Sequence, residues 1–506
     1  MAETKSVGEG RARVVRRHKV MRSLKKYLWS GLAVVAGFGP FARAEQKGRG
    51  AGAIYAELCA HCHGENLEGG KGGGLTDRAW KHGSDDASVA RSIHGRVPEA
   101  GMPGFARAIN DAETTALVAF IRESAVRKTE KVPTTDLPLP EGVQRSEEES
   151  YRIETVAEGL DVPWSLSFLP DGRMLVTERA GRLRMIENGK LRPEVIGALP
   201  AIVVKDEAGL MSVVADPDYA HNGWIYLSFC EPGADGTAMT KIIRARLRDW
   251  GLVDQETVFA IPRENYQPGH VLFGGRLVFA GGYLFFSVGV RGLEEKVTNS
   301  AQDLTVANGK IHRVFPDGKI PPDNPFAGHA GAVGSIWALG VRNPQGLARD
   351  PRDGALWETE HGPRGGDEFN LIEGGKNYGW PLVTHGMNYD GTLIADKTEA
   401  PGLVSPITHW TPSIAVSEIE FYFGDKFPRW RHHLLVGSLA TQKFLRLVIA
   451  GGRITHTEEI FKNHGRVRDI KTGPDGFIYV ALELIGRPGK IVRLVPAERD
   501  DAAGGR

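Results

Sequence analysis

Cysteine is scarce in this chain of 506 residues, which has only Cys59, Cys62 and Cys230. Three thiols cannot build a framework of disulfides, and Cys230 follows the strand-like run 225–229, where a lone thiol is expected to be a buried, small apolar side chain. Net charge is also nearly absent, at +1. That balance excludes the excess of Lys and Arg typical of a nucleic-acid-binding protein. The length predicts two or three domains with sizeable cores.

The chain also lacks a long hydrophobic run. Residues 11–26 are basic and residues 27–41 are apolar, but the apolar run is too short and too rich in glycine to predict a membrane span. Ala42-Arg43-Ala44 has the small-x-small pattern of signal cleavage. We therefore predict a secretory signal over residues 1–44 and a bacterial periplasmic location. The alternative is that this segment stays uncleaved and anchors the protein in a membrane. We expect membrane association only in that case.

The most informative motif is Cys59-Ala60-His61-Cys62-His63. Two thiols three positions apart, followed at once by a histidine, form the pattern that binds haem through two thioethers with the histidine as proximal iron ligand. Met102 is the only methionine between residues 45 and 150, so we expect it to be the second axial ligand. A chance match or a zinc-type site is the alternative, but zinc would need further ligands.

Residues 46–125 resemble the small class I cytochromes c, and we predict an all-α domain with covalent haem c over residues 45–125. The run 111–121 has the pattern of an N-capped amphipathic helix. His61 fills the spacer of the motif, and His82 and His94 are expected to lie at the surface or in loops. Residues 126–150 are charged and hold Pro133, Pro138 and Pro140, so they are predicted to form a linker.

Beyond the linker, short β-rich runs recur behind turns rich in Asp, Gly and Pro. Six runs share this signature: 174–177, 224–227, 283–286, 355–357, 433–436 and 477–480. Repeated small sheets that cannot bury both faces alone predict a mainly-β, six-bladed β-propeller over residues 151–497. A pair of large β-sandwiches is the alternative. A propeller carries its chemistry on the loops at one end of its central channel.

Several of the predicted loops are highly specific strings. Residues 341–347 read Val-Arg-Asn-Pro-Gln-Gly-Leu, residues 360–368 read Glu-His-Gly-Pro-Arg-Gly-Gly-Asp-Glu, and residues 377–381 read Asn-Tyr-Gly-Trp-Pro. With Arg466-Val467-Arg468-Asp469, they make residues 150–495 resemble the soluble aldose sugar dehydrogenases, also called glucose/sorbosone dehydrogenases. Members of that family are six-bladed propellers that use pyrroloquinoline quinone (PQQ) and Ca²⁺.

The resemblance implies a role for each matching residue. Arg466 and Arg468, two apart at a strand end, would clamp the carboxylates of PQQ. The remaining cofactor-binding, calcium-binding and pocket-wall matches are Arg342 (also catalytic, stabilising an oxyanion), Asn343 and Gln345 for the quinone; Gly362 and Pro363, through their carbonyls, for its calcium; Glu368 and the Tyr378 carbonyl for a second, structural calcium; and Tyr389 and Ser438 for the pocket wall.

The chain departs from the family at four places. The family's catalytic histidine directly precedes the Phe-Gly-Gly-Arg run, whereas here Leu272 does, and His270 lies two residues further back. Either the insertion Val271-Leu272 bulges out and His270 is the base, or the base is lost. Glu207 occupies the position of a cofactor-binding glutamine. The other departures are Ala440, where the family has a pocket lysine that Lys443 could replace only if the loop shifts, and Val290, where some members have an acidic residue.

The expected function is that of a quinohaemoprotein oxidoreductase. It would oxidise an aldose, or a related alcohol or aldehyde, and pass the electrons to its own haem. An external acceptor, a cytochrome or the respiratory chain, would then take them. The alternative is a catalytically degenerate propeller that binds a ligand or a protein beside an electron-transfer cytochrome.

Overall fold

The computed structural model describes residues 49–76, 80–95, 102–129, 133–292 and 299–498, which all belong to one compact unit. The predicted signal over residues 1–44 lies outside the described residues. None of the helices in the described part of the chain has the length and apolar character needed to cross a membrane.

The N-terminal domain is a small group of helices. Its elements are α1 (Ala51–Leu58), α2 (Ala60–His63), α3 (Asp86–His94) and α4 (Asp111–Thr129). The α4 helix begins with a reciprocal cap: the Asn110 side chain accepts from the Glu113 amide at 2.8 Å, and the Glu113 carboxylate accepts from the Asn110 amide at 3.1 Å. The helix includes the predicted run 111–121 and continues into the first residues of the predicted linker.

The regular secondary structure in the rest of the described chain consists almost entirely of β-strands. They are β1 (Gln144–Arg145), β2 (Ser150–Leu160), β3 (Pro163–Phe168), β4 (Met174–Glu178), β5 (Arg182–Glu187), β6 (Lys190–Leu191), β7 (Leu210–Ala215), β8 (Trp224–Pro232), β9 (Ala238–Arg248), β10 (Gly251–Phe259), β11 (Gly274–Ala280), β12 (Tyr283–Val288), β13 (Lys310–Val314), β14 (Ile336–Leu339), β15 (Pro344–Arg349), β16 (Leu356–Glu360), β17 (Asp367–Ile372), β18 (Thr408–Trp410), β19 (Val416–Phe421), β20 (Leu434–Ser438), β21 (Lys443–Ala450), β22 (Arg453–Lys462), β23 (Arg466–Thr472), β24 (Ile478–Glu483) and β25 (Gly489–Pro496). One short helix, α5 (Tyr219–Asn222), lies between β7 and β8.

These strands form six antiparallel sheets, which confirms the predicted six-bladed propeller. Blades 1 to 5 take their four strands consecutively from β3 to β22. Blade 6 combines β23, β24 and β25 with β2, so that the first long strand of the domain pairs with the last and closes the ring. The innermost strands β3, β7, β11, β15, β19 and β23 contact one another in turn around the channel.

Apolar side chains are buried mainly between adjacent blades. Between blades 5 and 6, for example, Tyr422 and Trp430 pack against Val467 and Ile470, and none of these four side chains is accessible to solvent. Comparable clusters lie between the other neighbouring blades. Because each blade covers its neighbour's face, the ring is stable only when it is closed. Cys230 is fully buried among apolar side chains, as predicted, and burial raises its pKa to about 12.

A network of buried charges crosses the central channel. Arg276 on β11 reaches Glu418 on β19, and its Nη1 lies 3.3 Å from Asp469 on β23. The same guanidinium lies 4.2 Å from the ring centroid of Trp164 on β3, and its Nε donates to the Gln345 carbonyl on β15 at 2.9 Å. One side chain thus connects five of the six blades.

Strand pairing places one end of every innermost strand on the same face of the ring. The first residue of β11 pairs with the last residue of β12, and the first residue of β23 pairs with the last of β24. Blades 1, 4 and 5 repeat this register, and in blade 2 the first residue of β7 pairs with Phe229, three residues before the end of β8. Residues just before an innermost strand and just after the second strand therefore meet at one face, which we call the mouth.

The predicted linker is held against the propeller over the part that the structure describes. The Asp136 carboxylate accepts from Gln442 Nε2 at 3.0 Å and from the Ile485 amide at 2.8 Å. The Leu137 amide donates to the Asn463 carbonyl at 2.6 Å. The proline- and charge-rich sequence therefore indicates the absence of regular structure here, while these contacts fix the path of the segment.

Candidate functional site

Arginine side chains gather at the mouth. Arg466 and Arg468 begin β23, and both guanidinium groups lie on the side of Glu483 on β24: Arg468 donates to its carboxylate, and Arg466 Nε lies 3.7 Å from it. Both side chains thus lie near the same carboxylate. Arg466 Nε is buried and has no hydrogen-bond partner among the described residues.

Arg179 adds a third charge that sequence reasoning missed. It follows β4 directly, and burial, followed by the nearby Arg468 charge, lowers its pKa. Burial and the same neighbour also lower the pKa of Arg466. Like charges brought together in a half-buried site oppose each other, because each raises the cost of keeping the other ionised. An anionic ligand would relieve this repulsion.

His361 lies within the same field. Burial, followed by the charges of Arg342 and Arg468, lowers its pKa to about 3. Its Nε2 is buried without a hydrogen-bond partner among the described residues. Arg342 is itself only 3% exposed and donates to the His361 carbonyl at 2.8 Å. The mouth is therefore cationic and holds unused donors, which fits the three carboxylates and the quinone oxygens of PQQ.

Asn343 and Gln345 lie beside Arg342, as predicted. The Asn343 side-chain oxygen accepts from the Gly274 amide at 3.1 Å and faces Gln345 Nε2 at 3.3 Å. The Asn343 amide group thus joins the start of β11 to the start of β15, and the two loops are held at a fixed spacing.

The loop that carries Gly362 and Pro363 fits a hard cation. Both residues are buried, and their carbonyls accept no hydrogen bond from the described residues. A Cβ at Gly362 would lie 2.2 Å from the Gly365 carbonyl, so only glycine allows the loop to close this tightly. The Asp367 carboxylate accepts from the Gly362 amide at 2.9 Å and orients the loop. Buried, unpaired carbonyl oxygens are the ligands that Ca²⁺ prefers.

Buried carboxylates lie behind this loop. Glu360 on β16 and Glu368 on β17 are direct cross-strand partners, and Glu358 pairs with Asn370 on the same strands. Burial and mutual repulsion raise the pKa of Glu358 and of Glu368 well above the usual value, and burial raises the pKa of Glu360 to about 7. Like charges opposite each other destabilise a sheet unless a proton or a cation joins them.

This cluster fits the predicted second calcium site only partly. Glu368 and the carbonyl of the buried Tyr378 are the predicted ligands, and Glu358 Oε1 has no partner among the described residues. However, no three His, Cys, Asp or Glu side chains of the described ranges converge on one metal position. A cation here would therefore depend on main-chain carbonyls and water as well as on carboxylates.

The structure shows how the segment around His270 is held. The Glu207 amide donates to the His270 carbonyl at 3.0 Å, and the Glu207 carboxylate accepts from the Leu272 amide at 2.8 Å. Arg291 donates to the carbonyls of Gly269, at 3.0 Å, and of Val271. Leu272 has a positive φ of 57°, and its side chain is buried.

The His270 side chain is partly exposed and makes no hydrogen bond to the described residues. Its backbone lies against Glu207, whose charge acts on both Arg179 and Arg466. His270 is therefore at the edge of the arginine group. Its role as base stays a prediction.

The weaker candidates are placed differently. Ser438 is fully buried, and its hydroxyl lies 2.8 Å from that of Thr441, so it belongs to the turn that follows β20. Tyr389 is 58% exposed in a loop between β17 and β18. Lys443 pairs with Glu459 at 3.3 Å. Val290 is fully buried with Leu272 and Trp380, and these three form an apolar wall of the mouth.

The haem-binding motif lies in the N-terminal domain. Cys59 and Met102 both pack against the apolar core of this domain, which includes Ile54 and Val89. Burial, followed by the neighbouring Cys62, raises the pKa of Cys59 to about 11. Cys59, a predicted haem attachment residue, and Met102, the predicted second axial ligand, thus pack against the same apolar core. A buried porphyrin requires such a core.

The proximal ligand is oriented by its surroundings. His63 Nδ1 lies 2.8 Å from the Gly73 carbonyl, which leaves Nε2 available to iron. A Cβ at Gly72 would come within 2.8 Å of the imidazole, so glycine is needed there. The other predicted non-ligands are occupied elsewhere: His61 lies 2.9 Å from Lys71 Nζ, and His94 lies 2.6 Å from the Thr114 hydroxyl.

Comparison with known proteins agrees with this geometry. The sequence model described as glucose/sorbosone dehydrogenase matches residues 160–493. The chain belongs to this family. A second model, described as cytochrome c oxidase, cbb3-type, subunit III, matches residues 46–121 and confirms the cytochrome c domain.

Individual relatives support the assignment. Aldose sugar dehydrogenase YliI from Escherichia coli is 42% identical over 69% of this chain and 93% of its own length. The crystal structure of the apo-form of the E. coli enzyme aligns with a TM-score of 0.64 at 39% identity, covering 69% of this chain and all of that one. The PQQ-bound aldose sugar dehydrogenase from Streptomyces coelicolor aligns with a TM-score of 0.56 at 25% identity, covering 70% and 99%.

Proposed function

We propose that this protein is a periplasmic quinohaemoprotein that oxidises an aldose with PQQ and Ca²⁺ and passes the electrons to its own haem c. The observation that supports it most is the half-buried group of Arg179, Arg466 and Arg468 at the mouth, on the face where the haem-binding domain also contacts the ring. The PQQ-bound aldose sugar dehydrogenase from S. coelicolor has the same propeller fold.

The residues of the mouth divide the work of holding the cofactor. Arg466 and Arg468 would bind carboxylates of PQQ, and Arg342 would stabilise negative charge on a quinone oxygen. The Gly362 and Pro363 carbonyls would hold Ca²⁺. When bound, the quinone supplies an electrophilic carbon that accepts two electrons and a hydrogen from the sugar.

His270 would take the proton of the sugar hydroxyl. An imidazole at the edge of the mouth can act as a general base, and the His270 side chain makes no hydrogen bond to the described residues. Each aldose releases two electrons and two protons. Since haem iron takes one electron at a time, two reductions of the haem accompany each turnover, and an external one-electron acceptor takes both electrons.

The test is reconstitution of the protein, produced with its haem attached, with PQQ and Ca²⁺. A panel of aldoses and aldehydes is then offered, with an artificial dye and the haem absorption as separate readouts. We expect dye turnover with at least one aldose. His270→Ala should abolish that turnover, and an unchanged rate would remove the proposed role of His270.

PQQ binding is measured separately from turnover. Arg466→Ala should weaken it by at least about tenfold, because one charge-assisted contact is lost. Arg493→Ala is the matched control, since Arg493 pairs with Glu154 on the outer strands. Haem without PQQ binding or turnover at any calcium level would favour the alternative of a degenerate binding propeller.

A further inference from the structure

The haem-binding domain contacts the propeller through a small, well-defined surface. Ala51 of α1 and Ala116 and Ala119 of α4 bury their side chains against Met387, which is 1% exposed. The Ala51 amide donates to the Gly391 carbonyl at 3.1 Å. These contacts connect α1 and α4 to residues 385–394, the loop between β17 and β18.

An ion pair completes this surface. Arg364 Nε donates to Glu123 Oε2 at 3.2 Å, and Arg364 Nη2 reaches the same oxygen. Both side chains are largely buried, at 23% exposed for Arg364 and 14% for Glu123. Such a charge pair, shielded from solvent, fixes the relative position of two surfaces more strictly than apolar contact alone.

The same arginine belongs to the predicted calcium loop. Arg364 directly follows Pro363, and its amide and carbonyl exchange hydrogen bonds with Met387 at 3.1 and 3.3 Å. The surface that receives the haem-binding domain is therefore joined, through one residue, to the loop proposed to hold the cofactor's calcium.

The contact also leads into the haem-binding core. Phe120 of α4 packs against both the Met387 cluster and the core that holds Cys59 and Met102. Its ring lies 5.5 Å from that of Tyr55, whose hydroxyl donates to the carbonyl of Gly64, next to His63. Main-chain hydrogen bonds and side-chain packing thus connect the predicted calcium loop to Gly64, the residue that follows the predicted proximal ligand.

We propose that Glu123 and Arg364 are positioning residues for electron transfer within the chain: they dock the haem-binding domain on the mouth and set the rate at which the haem is reduced. The proposal rests on the proposed function. The sugar supplies two electrons, each ferric haem accepts one and becomes ferrous, and an external one-electron oxidant such as ferricyanide restores it.

The experiment compares four variants of the full chain with haem attached: Glu123→Arg, Arg364→Glu, the double exchange of the two charges, and Glu57→Arg as a control. Glu57 lies on α1, is exposed and pairs with Arg49 in the same domain. Two quantities are measured for each: hydrogen exchange at the Ala51 amide, which needs no substrate, and the ratio of haem reduction to dye turnover after an aldose is added.

Placing two arginines opposite each other should speed exchange at Ala51 and lower the reduction ratio by about tenfold or more, since like charges in contact cost several kcal/mol. Glu123→Arg should leave dye turnover unchanged, because Glu123 contacts none of the residues proposed to bind PQQ, Ca²⁺ or the sugar hydroxyl. The double exchange should restore both quantities in part, because the new arginine at position 123 would also lie beside Arg127. Glu57→Arg should change neither.

Failure of the two proposals is distinguishable. If no aldose supports dye turnover, the proposed function fails, and exchange at Ala51 alone decides whether the surface exists. If dye turnover occurs but Glu123→Arg changes neither exchange nor haem reduction, the docking proposal is wrong. It is equally wrong if the double exchange restores nothing of what either single change removes.

Discussion

The buried Glu360 gives the sharpest test of the proposed calcium dependence. Burial raises its pKa from 4.5 to about 7, although the amides of Arg342 and Asn343 donate to its carboxylate. The folded protein therefore holds a proton that the unfolded chain releases between these two pH values. Stability from this group is complete below pH 4.5 and is lost as the pH rises to about 7, a loss of about 3 kcal/mol.

Glu360→Gln keeps the shape and the accepting oxygen but removes the charge. In calcium-free buffer, we expect the variant and the wild-type protein to have equal free energies of unfolding near pH 4.5. The variant should become more stable by about 3 kcal/mol at pH 8. Denaturant unfolding at a series of pH values measures this difference.

The second part of the experiment repeats the unfolding measurements with added calcium. If the carboxylates behind residues 362–366 hold Ca²⁺, the ion should stabilise the wild-type protein at pH 8 and remove most of the advantage of Glu360→Gln. Glu154→Gln, on an exposed strand, is the control. A difference between variant and wild-type protein that stays constant from pH 4.5 to 8 would refute the reasoning about burial, and an advantage that calcium leaves intact would refute a cation in this cluster.

Three further predictions concern stability. Arg276→Ala leaves Glu418 and Asp469 buried without their partner and should lower the free energy of unfolding by about 3–5 kcal/mol, measured in denaturant. Burial lowers the pKa of His312 to about 3, so the protein should lose up to about 1.4 kcal/mol per pH unit below 6.5 through this group, and His312→Gln should reduce that slope in thermal unfolding against pH. Asp136→Ala should free the linker, seen as faster proteolytic cleavage near residue 136, whereas unchanged cleavage would show that other contacts hold it.

The architecture of the propeller was predictable because its signal is local and repeated. Each of the six turn-and-strand signatures marks the second strand of a different blade: β4, β8, β12, β16, β20 and β24. In blade 1, for example, Gly172 has a φ of 87° in the turn that precedes β4. A turn that requires such a conformation recurs once per blade, so counting turns counts blades.

The residues of the candidate site were predictable only where they belong to long, family-specific sequence motifs. Arg179 escaped notice because a single arginine after a strand has no sequence signature by itself. A usable signal was its position: it follows the second strand of blade 1 as His361 follows that of blade 4. The role of Arg291 was equally hidden, since its partners are main-chain carbonyls, which every residue has.

Contacts between domains depend on surfaces that only the fold creates. Glu123 and Arg364 are 241 positions apart in the sequence, and each looks like an ordinary surface charge. The same holds for Asp136 and Gln442, which are 306 positions apart. Composition shows that a segment lacks regular structure, but it gives no information on whether distant donors will hold that segment.

Two of the departures from the family turn out to be connected. Leu272 and Val271 lengthen the approach to β11, and Glu207 stands where the family has a glutamine, yet the Glu207 carboxylate accepts the amide of the inserted Leu272. The backbone of Glu207 in turn binds the His270 carbonyl. The acidic residue thus has a structural use, to hold the main chain of residues 270–272, and its charge acts on Arg179 and Arg466. Because these contacts keep His270 at the edge of the arginine group, neither departure by itself removes the predicted base from the mouth.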